Sequence, residues 1–178
     1  GGQQALDFTA KCLLNDGDTV LTEAPTFLNA LNTFRTYGAR IVGVPMDGEG
    51  MDMDALEQAL RLEKSVKFIY TIPNFQNPMG VTLSAARRRR MYDLAEQYDV
   101  MILEDDPYGR LRYSGTPVDA IKTLDRSERV IYTGSFSKII APGIRVAYLC
   151  APKELMAKMV VAKQCVDVHT NMLSQVLV

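Results

Sequence analysis

Lys138 lies in a stretch whose residue types are suited to reaction with a carbonyl compound. Residues 130–132 form a short apolar run, VIY, which predicts a buried strand, and Lys138 follows shortly after its end. A lysine at the mouth of a buried strand can lose hydration, which lowers its pKa, and only a neutral amine attacks a carbonyl carbon. The position therefore predicts a Schiff-base lysine. A solvated lysine in an ordinary loop is the alternative.

The residues around Lys138 favour binding of a phosphate group. Ser135 and Ser137 offer two hydroxyls, and Arg145 offers a fork of N–H donors. Gly1 and Gly2 precede an apolar pattern of helical spacing, so the backbone N–H groups at that helix start can bind an anion. Taken alone, the two glycines are explained more simply by a glycine turn. The lysine and the phosphate donors together predict an aldehyde cofactor that carries a phosphate.

Three acidic residues, Glu104, Asp105 and Asp106, follow the apolar strand pattern of residues 99–103. Adjacent carboxylates repel one another, so we expect a cation to accompany them. A protonated heterocycle fits, because no His or Cys residue accompanies the acids. Magnesium, which binds carboxylates alone, is a competing partner. Exposed and solvated acids are the third interpretation.

Two further stretches supply candidate ligand contacts. The loop 71–80, TIPNFQNPMG, is stiffened by two prolines and carries the amides of Asn74, Gln76 and Asn77. A ligand contact and an ordinary crossover loop both fit this composition. Phe27 lies in the first turn of a predicted helix, where its ring either faces a pocket or packs in the core.

Composition excludes several classes of protein. The 178 residues are 47% hydrophobic, which excludes a disordered chain, and a net charge of −1 provides no field that attracts nucleic acid or an anionic membrane. The one histidine, His169, makes histidine triads and multi-histidine metal sites poor candidates. Three widely spaced cysteines and the absence of a signal peptide predict reduced thiols in a cytoplasmic protein. We therefore expect no metal, nucleic-acid or membrane partner.

Strand and helix patterns alternate along the chain in units of about thirty residues, which predicts an α/β domain with a mostly parallel sheet. Ligands of such sheets gather at the carboxyl ends of the strands, where the candidate residues fall. The chain has no G-x-G-x-x-G or Walker A sequence, which disfavours a nucleotide. The run Arg87–Arg90 wraps a whole helical turn and is interpreted as a solvated helix start, capped by Ser84.

Five motifs resemble those of fold-type I pyridoxal-5'-phosphate (PLP) aminotransferases of class I/II, in the branch of 2-aminoadipate and kynurenine aminotransferases. They are GGQQALD, EAPTF, PNFQNPMG, EDDPYG and SFSKIIAPGIRVAY, in family order and over essentially the whole chain. The resemblance implies a three-layer α/β/α large domain of the PLP-dependent transferase type, spanning residues 1–178. It also implies pyridoxal 5'-phosphate as cofactor and ping-pong transfer of an amino group from an amino acid to a 2-oxo acid.

The resemblance implies a role for each matching residue. Lys138 resembles the lysine that forms the Schiff base and moves protons as general acid and base. Asp105 resembles the aspartate that pairs with the pyridinium nitrogen, and Tyr108 and Asn77 resemble the pair that hydrogen-bonds the phenolic oxygen. Phe27 stands where relatives often have a stacking tyrosine. The residues that resemble the phosphate cradle are Gly2, Gln3, Ser135, Ser137 and Arg145.

Relatives also have an N-terminal segment and a C-terminal small domain, whose arginine binds the substrate α-carboxylate. The chain contains neither, so we expect a large-domain fragment that binds the cofactor weakly and transaminates poorly. Relatives are usually homodimers. Two alternative functions stay open: an aminotransferase-like effector domain of a winged-helix transcription regulator, and a PLP-dependent lyase or decarboxylase on the same fold.

Overall fold

A seven-stranded sheet forms the centre of the computed structural model, which describes all 178 residues. The strands, in chain order, are β1 (Thr19–Ala24), β2 (Arg40–Asp47), β3 (Gly50–Met51), β4 (Val66–Thr71), β5 (Met101–Asp105), β6 (Val130–Ser135) and β7 (Ala147–Cys150). The helices are α1 (Gly2–Leu13), α2 (Leu28–Thr36), α3 (Met53–Leu62), α4 (Ala85–Gln97), α5 (Lys153–Asp167) and α6 (Met172–Val176). Three short 3-10 helices cover Gly109–Leu111, Ile121–Leu124 and Pro142–Ile144.

The sheet is mostly parallel, as the sequence predicted. Its strand order is β3-β2-β1-β4-β5-β6-β7, and the five central strands all run in the same direction. The two edge strands, β3 and β7, are antiparallel to their neighbours. A two-residue strand such as β3 leaves no periodic pattern in the sequence, so periodicity does not predict it.

Side chains of the central strands alternate between two apolar layers. Leu21 packs in one cluster with α3 and α4, whereas its neighbour Val20 packs in the other with α1, α2 and α5. Ile102 and Leu103 divide between the same two clusters. Because each face of the sheet buries its own set of side chains against helices, the fold is the expected three-layer α/β/α arrangement.

Side chains cap the starts of three helices, α3, α4 and α6, the last through Asn171. The Ser84 hydroxyl accepts a hydrogen bond from the Arg87 backbone N–H, as the sequence predicted for α4. The Asp52 carboxylate accepts from the N–H groups of Asp54 and Ala55 at the start of α3. These caps satisfy donors that the first helical turn leaves unpaired. No helix of this fold combines the length and the apolar character needed to cross a membrane.

Arg88 corrects the interpretation of Arg87–Arg90 as a solvated helix start. Its side chain is fully buried, although its neighbour Arg89 is exposed. The guanidinium donates to five acceptors between 2.8 and 3.4 Å away: the carbonyl oxygens of Leu83, Val118, Asp119 and Pro73, and the Asn74 Oδ1. Arg88 therefore ties α4 to the loop that follows β4, which carries several of the candidate residues.

Replacing Arg88 with methionine is expected to lower the free energy of unfolding by about 3 kcal/mol, because several buried acceptors lose their donor. Urea unfolding of the purified protein measures this change. The matched control is Arg89→Met, which removes an exposed arginine from the same helical turn and is expected to change stability by less than about 0.5 kcal/mol. Equal stability of the two variants would contradict this account of Arg88.

Candidate active site

The candidate residues gather at one edge of the sheet, formed by the carboxyl ends of β1, β4, β5 and β6; we call it the carboxyl edge. The register aligns Thr71 of β4 with Glu104 of β5, and Asp105 of β5 with Thr133 of β6. Because these strands are parallel, the loops that follow them emerge on the same side. Residues that are far apart in the chain therefore become neighbours.

Asp105, the last residue of β5, has a partly buried side chain that accepts a hydrogen bond from the Tyr70 hydroxyl at 2.9 Å. Burial raises the pKa of Asp105 to about 7, the Tyr70 hydrogen bond lowers it, and the neighbouring Asp106 carboxylate raises it. Tyr70 itself is fully buried on β4. A cationic partner would favour the charged form of Asp105, because opposite charge stabilises a carboxylate that burial destabilises.

The three acids do not form one cluster, which corrects the expectation of a shared cation. Glu104 is fully buried and accepts from the backbone N–H groups of Ile121 at 2.8 Å and Lys122 at 2.9 Å. Asp106 accepts hydrogen bonds at 2.9–3.1 Å from the Asn74 amide, the Gly109 N–H and the Tyr132 hydroxyl. Strand alternation turns Glu104 away from Asp105, so protein donors satisfy two of the acids and Asp105 alone faces the candidate site.

Tyr108 and Asn77 meet beside Asp105. Burial raises the pKa of the Tyr108 phenol most strongly, the neighbouring Asn77 side chain lowers it, and the nearby Asp105 carboxylate raises it. Both side chains are partly buried. Asp105, Tyr108, Asn77 and Tyr70 together are called the ring cluster below.

A second group lies next to the ring cluster, where the end of the adjacent strand β6 meets the start of α1. Its members are the α1 start at Gly2 and Gln3, with Ser135, Ser137 and Arg145, and we call this group the anion cradle. No side chain caps the first turn of α1 and no acidic residue lies in it. Ser135 accepts from the Ser137 N–H at 3.2 Å, and Arg145 approaches the Ser137 hydroxyl at 3.4 Å. A Cβ added at Gly2 would lie 3.9 Å from that of Ser135, so the helix start faces the end of β6.

Two members of the anion cradle show local features that suit a ligand site. Arg145 adopts a left-handed backbone conformation with φ of 57°, which is uncommon for a residue with a side chain and is concentrated at functional sites. Gln3 donates its amide to Thr33 on α2 at 2.6 Å. The Gln3 side chain is thus occupied elsewhere, and its backbone N–H is the group left for an anion.

Lys138 and Phe27 complete the predicted set. Lys138 is exposed in the turn after β6, between Ser137 and Arg145 of the anion cradle in chain order, and no protein side chain pairs with it. The expected loss of hydration is absent, because the turn projects beyond the packed end of the sheet. Phe27 is partly buried at the start of α2, where it packs against the α1–α2 cluster.

Sequence reasoning missed two polar side chains of this edge, Tyr70 and Glu23. Tyr70 lies within an apolar strand, where its hydroxyl gives no signal. Glu23 is the penultimate residue of β1, and 2% of its surface is exposed. A carboxylate directly after four strand residues and directly before Ala24-Pro25 is a signal that could have been used, since its side chain must fall on the carboxyl edge.

The buried Glu104 makes stability depend on pH in a defined direction. Burial raises its pKa from 4.5 to about 7. Between these values the folded state holds the proton more tightly than the unfolded chain, so the Glu104 contribution to stability is lost as the pH rises from 4.5 to 7. In the unaltered protein this loss lowers the free energy of unfolding by about 3 kcal/mol between pH 4.5 and 7, and Glu104→Gln is expected to abolish it. Urea unfolding at several pH values measures it, and an unchanged slope would contradict the assignment.

A model of the family described as aminotransferase class I and II matches residues 1–178. The chain belongs to the aminotransferase class I and II family. The chain is 51% identical to the aromatic-amino-acid aminotransferase 1 of Thermococcus litoralis, covering 99% of this chain and 43% of that protein. The crystal structure of a Pyrococcus horikoshii kynurenine aminotransferase in complex with PMP superposes with a TM-score of 0.96 at 48% identity.

That superposition covers 99% of this chain and 45% of the Pyrococcus chain, so the chain spans less than half the length of these relatives. The family also reaches proteins with a different description. An HTH-type transcriptional regulator of Bacillus subtilis, YisV, is 34% identical over 98% of this chain and 36% of its own length. The fold of the aminotransferase family thus occurs in relatives described as enzymes and in one described as a regulator.

Proposed function

We propose that this chain is the large, cofactor-binding domain of a pyridoxal-phosphate-dependent aminotransferase that moves an amino group from an amino acid to a 2-oxo acid. The observation that carries the proposal is the juxtaposition of two chemically different groups on adjacent strand ends. The ring cluster offers a carboxylate that lacks a cationic partner, and the anion cradle offers uncapped N–H groups, hydroxyls and a guanidinium. The turn that carries Lys138 links Ser137 to Arg145 within the anion cradle.

The donor set fits pyridoxal 5'-phosphate. The phosphate dianion matches the anion cradle, where the α1 dipole and Arg145 both favour negative charge. A protonated pyridine nitrogen matches Asp105, whose burial demands a cationic neighbour. When bound, the cofactor supplies an electrophilic carbonyl carbon and an electron-withdrawing ring. The PMP of the Pyrococcus relative, pyridoxamine 5'-phosphate, supports the same cofactor here.

Each side chain then has a defined task. Asp105 keeps a negative charge against the ring nitrogen, and Tyr70 holds the Asp105 carboxylate in place. Tyr108 and Asn77 hydrogen-bond the phenolic oxygen, and the Phe27 ring packs on one face of the cofactor. The Lys138 Nζ would hold the cofactor at its carbonyl carbon and would move a proton at the substrate α-carbon as general base and acid. Its exposure leaves it accessible to both partners.

Transfer of a labelled amino group tests the proposal. The purified protein, supplied with PLP, receives ¹⁵N-labelled amino acids, including kynurenine and aromatic amino acids, together with unlabelled 2-oxoglutarate. We expect ¹⁵N to appear in glutamate in proportion to the 2-oxo acid formed. Release of labelled ammonia or of carbon dioxide instead would assign a lyase or a decarboxylase. No turnover of any amino acid by the full-length protein that contains this domain would overturn the aminotransferase function.

The relation to the Bacillus regulator supports a second candidate, an effector domain that senses an amino acid or PLP in a DNA-binding protein. The lower identity, 34% against 51%, favours the enzyme. Retention of cofactor without label transfer, together with sequence-specific DNA binding in a gel-shift assay, would favour the regulator.

Assembly and location complete the proposal. We propose a homodimer, supported by large apolar side chains that are exposed at Ile139, Ile140, Tyr148, Val160 and Val161. Light scattering on the purified protein measures the mass that tests this. We also propose a cytoplasmic protein, supported by three cysteines without disulfide partners.

A further inference from the structure

Glu23 occupies the centre of a buried hydrogen-bond network at the end of β1. Its Oε1 accepts from the Thr71 hydroxyl at 2.6 Å and from the Ile72 N–H at 3.1 Å. Its Oε2 accepts from the Gln76 amide at 2.8 Å and from the Thr26 hydroxyl at 3.4 Å. Every donor except Thr26 belongs to β4 or to the loop that follows it, about fifty residues away in the chain.

Gln76 is the other half of this network, and 2% of its surface is exposed. Its Nε2 donates to the Pro25 carbonyl at 2.9 Å as well as to Glu23, and its Oε1 accepts from the Met79 N–H at 2.9 Å. Its backbone N–H donates to the Val81 carbonyl at 2.8 Å. Both ends of the side chain are therefore fixed, and with them the backbone next to Asn77.

The network joins two segments that carry proposed cofactor contacts. Phe27 follows Thr26 directly, and Asn77 follows Gln76 directly, yet neither Phe27 nor Asn77 hydrogen-bonds Glu23. Resting on the proposed function, we propose that Glu23 is a positioning residue, which acts through Gln76 on Asn77 and through Thr26 on Phe27 to place these two side chains for binding pyridoxal phosphate. No other polar contact described at this edge links the β1 end to the loop after β4.

Glu23 has a close structural counterpart that does not serve the site. Glu104 is also a buried carboxylate at a strand end, it also accepts backbone N–H groups, and burial raises the pKa of both to about 7. Glu104 instead accepts from the backbone of Ile121 and Lys122, and neither of these partners is next in the chain to a proposed cofactor contact. Glu104→Gln therefore controls for the loss of a buried carboxylate as such.

The atoms of the network define a specific variant and its rescue. In Glu23→Gln, the remaining oxygen can still accept from Thr71 and Ile72, but the new NH₂ faces the NH₂ of Gln76, so two donors oppose each other. The double variant Glu23→Gln/Gln76→Glu restores a donor and an acceptor in this pair. If Glu23 acts through Gln76, the double variant recovers part of the PLP affinity that Glu23→Gln loses.

The test compares three variants with the unaltered protein by two measurements. Equilibrium dialysis gives the dissociation constant of PLP. Amide hydrogen exchange in the cofactor-free protein gives the mobility of Ile72 and Met79, whose N–H groups bond Glu23 and Gln76. We expect Glu23→Gln to weaken PLP binding by about 10-fold or more, in the range seen for residues that orient ligand contacts, and to speed exchange at both amides.

Glu104→Gln is expected to leave the PLP dissociation constant within about twofold, since it contacts none of the cofactor residues. The proposal would be overturned if Glu23→Gln and Glu104→Gln gave the same PLP dissociation constant and the same amide exchange. It would also be overturned if the double variant bound PLP no more tightly than Glu23→Gln. If Glu23→Gln does not fold, Gln76→Met removes the same Gln76–Glu23 hydrogen bond by changing the donor, and we expect it to weaken PLP binding to a similar extent. An unaltered protein that takes up no PLP would overturn the proposed function instead, whereas the exchange at Ile72 still decides whether the network holds the loop.

Discussion

Lys138→Ala is expected to lower kcat for amino transfer by roughly 10²–10⁴-fold or more, because it removes the general acid and base that moves the substrate proton. It also removes the amine that attaches the cofactor. The fold is not expected to change, since the Lys138 side chain is exposed and unpaired. The ¹⁵N-transfer assay under saturating PLP measures the loss.

Two further variants separate charge from proton transfer at this position. Lys138→Arg keeps a positive charge beside the anion cradle, but a guanidinium does not give up its proton in proteins, so we expect a loss of similar size. Lys153→Ala removes an exposed lysine at the start of α5, outside the site, and is expected to leave turnover unchanged. A Lys138→Ala protein with undiminished turnover would remove Lys138 from the mechanism.

Asp105→Asn is expected to lower kcat/KM by roughly 10²–10³-fold, comparable to removal of one preorganised electrostatic contact in other active sites. Asparagine is nearly isosteric and can still accept from the Tyr70 hydroxyl at the 2.9 Å site. It carries no charge, however, and cannot balance a protonated ring nitrogen. The loss should appear mainly in kcat, with little change in thermal unfolding.

Asp106→Asn provides the matched control for Asp105→Asn. Asp106 is the next residue in the chain, but its carboxylate serves Asn74, Gly109 and Tyr132. We expect this variant to lose stability through mismatched donors and to keep most of its kcat/KM. The opposite pattern, with Asp106→Asn inactive and Asp105→Asn active, would exchange the two assignments.

Much of the fold follows from periodicity in the sequence. Alternating strand and helix patterns predict the parallel α/β sheet, and the Ser84 cap is found where the pattern placed it. The rule that parallel strands gather ligands at their carboxyl ends is sufficient to bring Asp105 and Ser135 to one edge. The sequence thus predicts that Asp105 and Ser135 lie near each other, because each is the last residue of a parallel strand.

The supporting contacts are not predictable in the same way, because they join residues that are distant in the chain. Tyr70 reaches Asp105 across 35 residues, and Gln76 reaches Glu23 across 53. Arg88 had the signature of a surface charge, and its burial depends on carbonyl oxygens that three separate segments supply. Such partners become visible only when the packing of the loops is known.

The central claim is that this edge of the sheet holds pyridoxal phosphate through Lys138. The most direct test is to add PLP to the purified protein, reduce it with borohydride, and locate the modification by mass spectrometry of tryptic peptides. We predict one phosphopyridoxyl group, on the peptide that contains Lys138, and none in Lys138→Ala. A modification that lies on another lysine, or that persists in Lys138→Ala, would contradict the account.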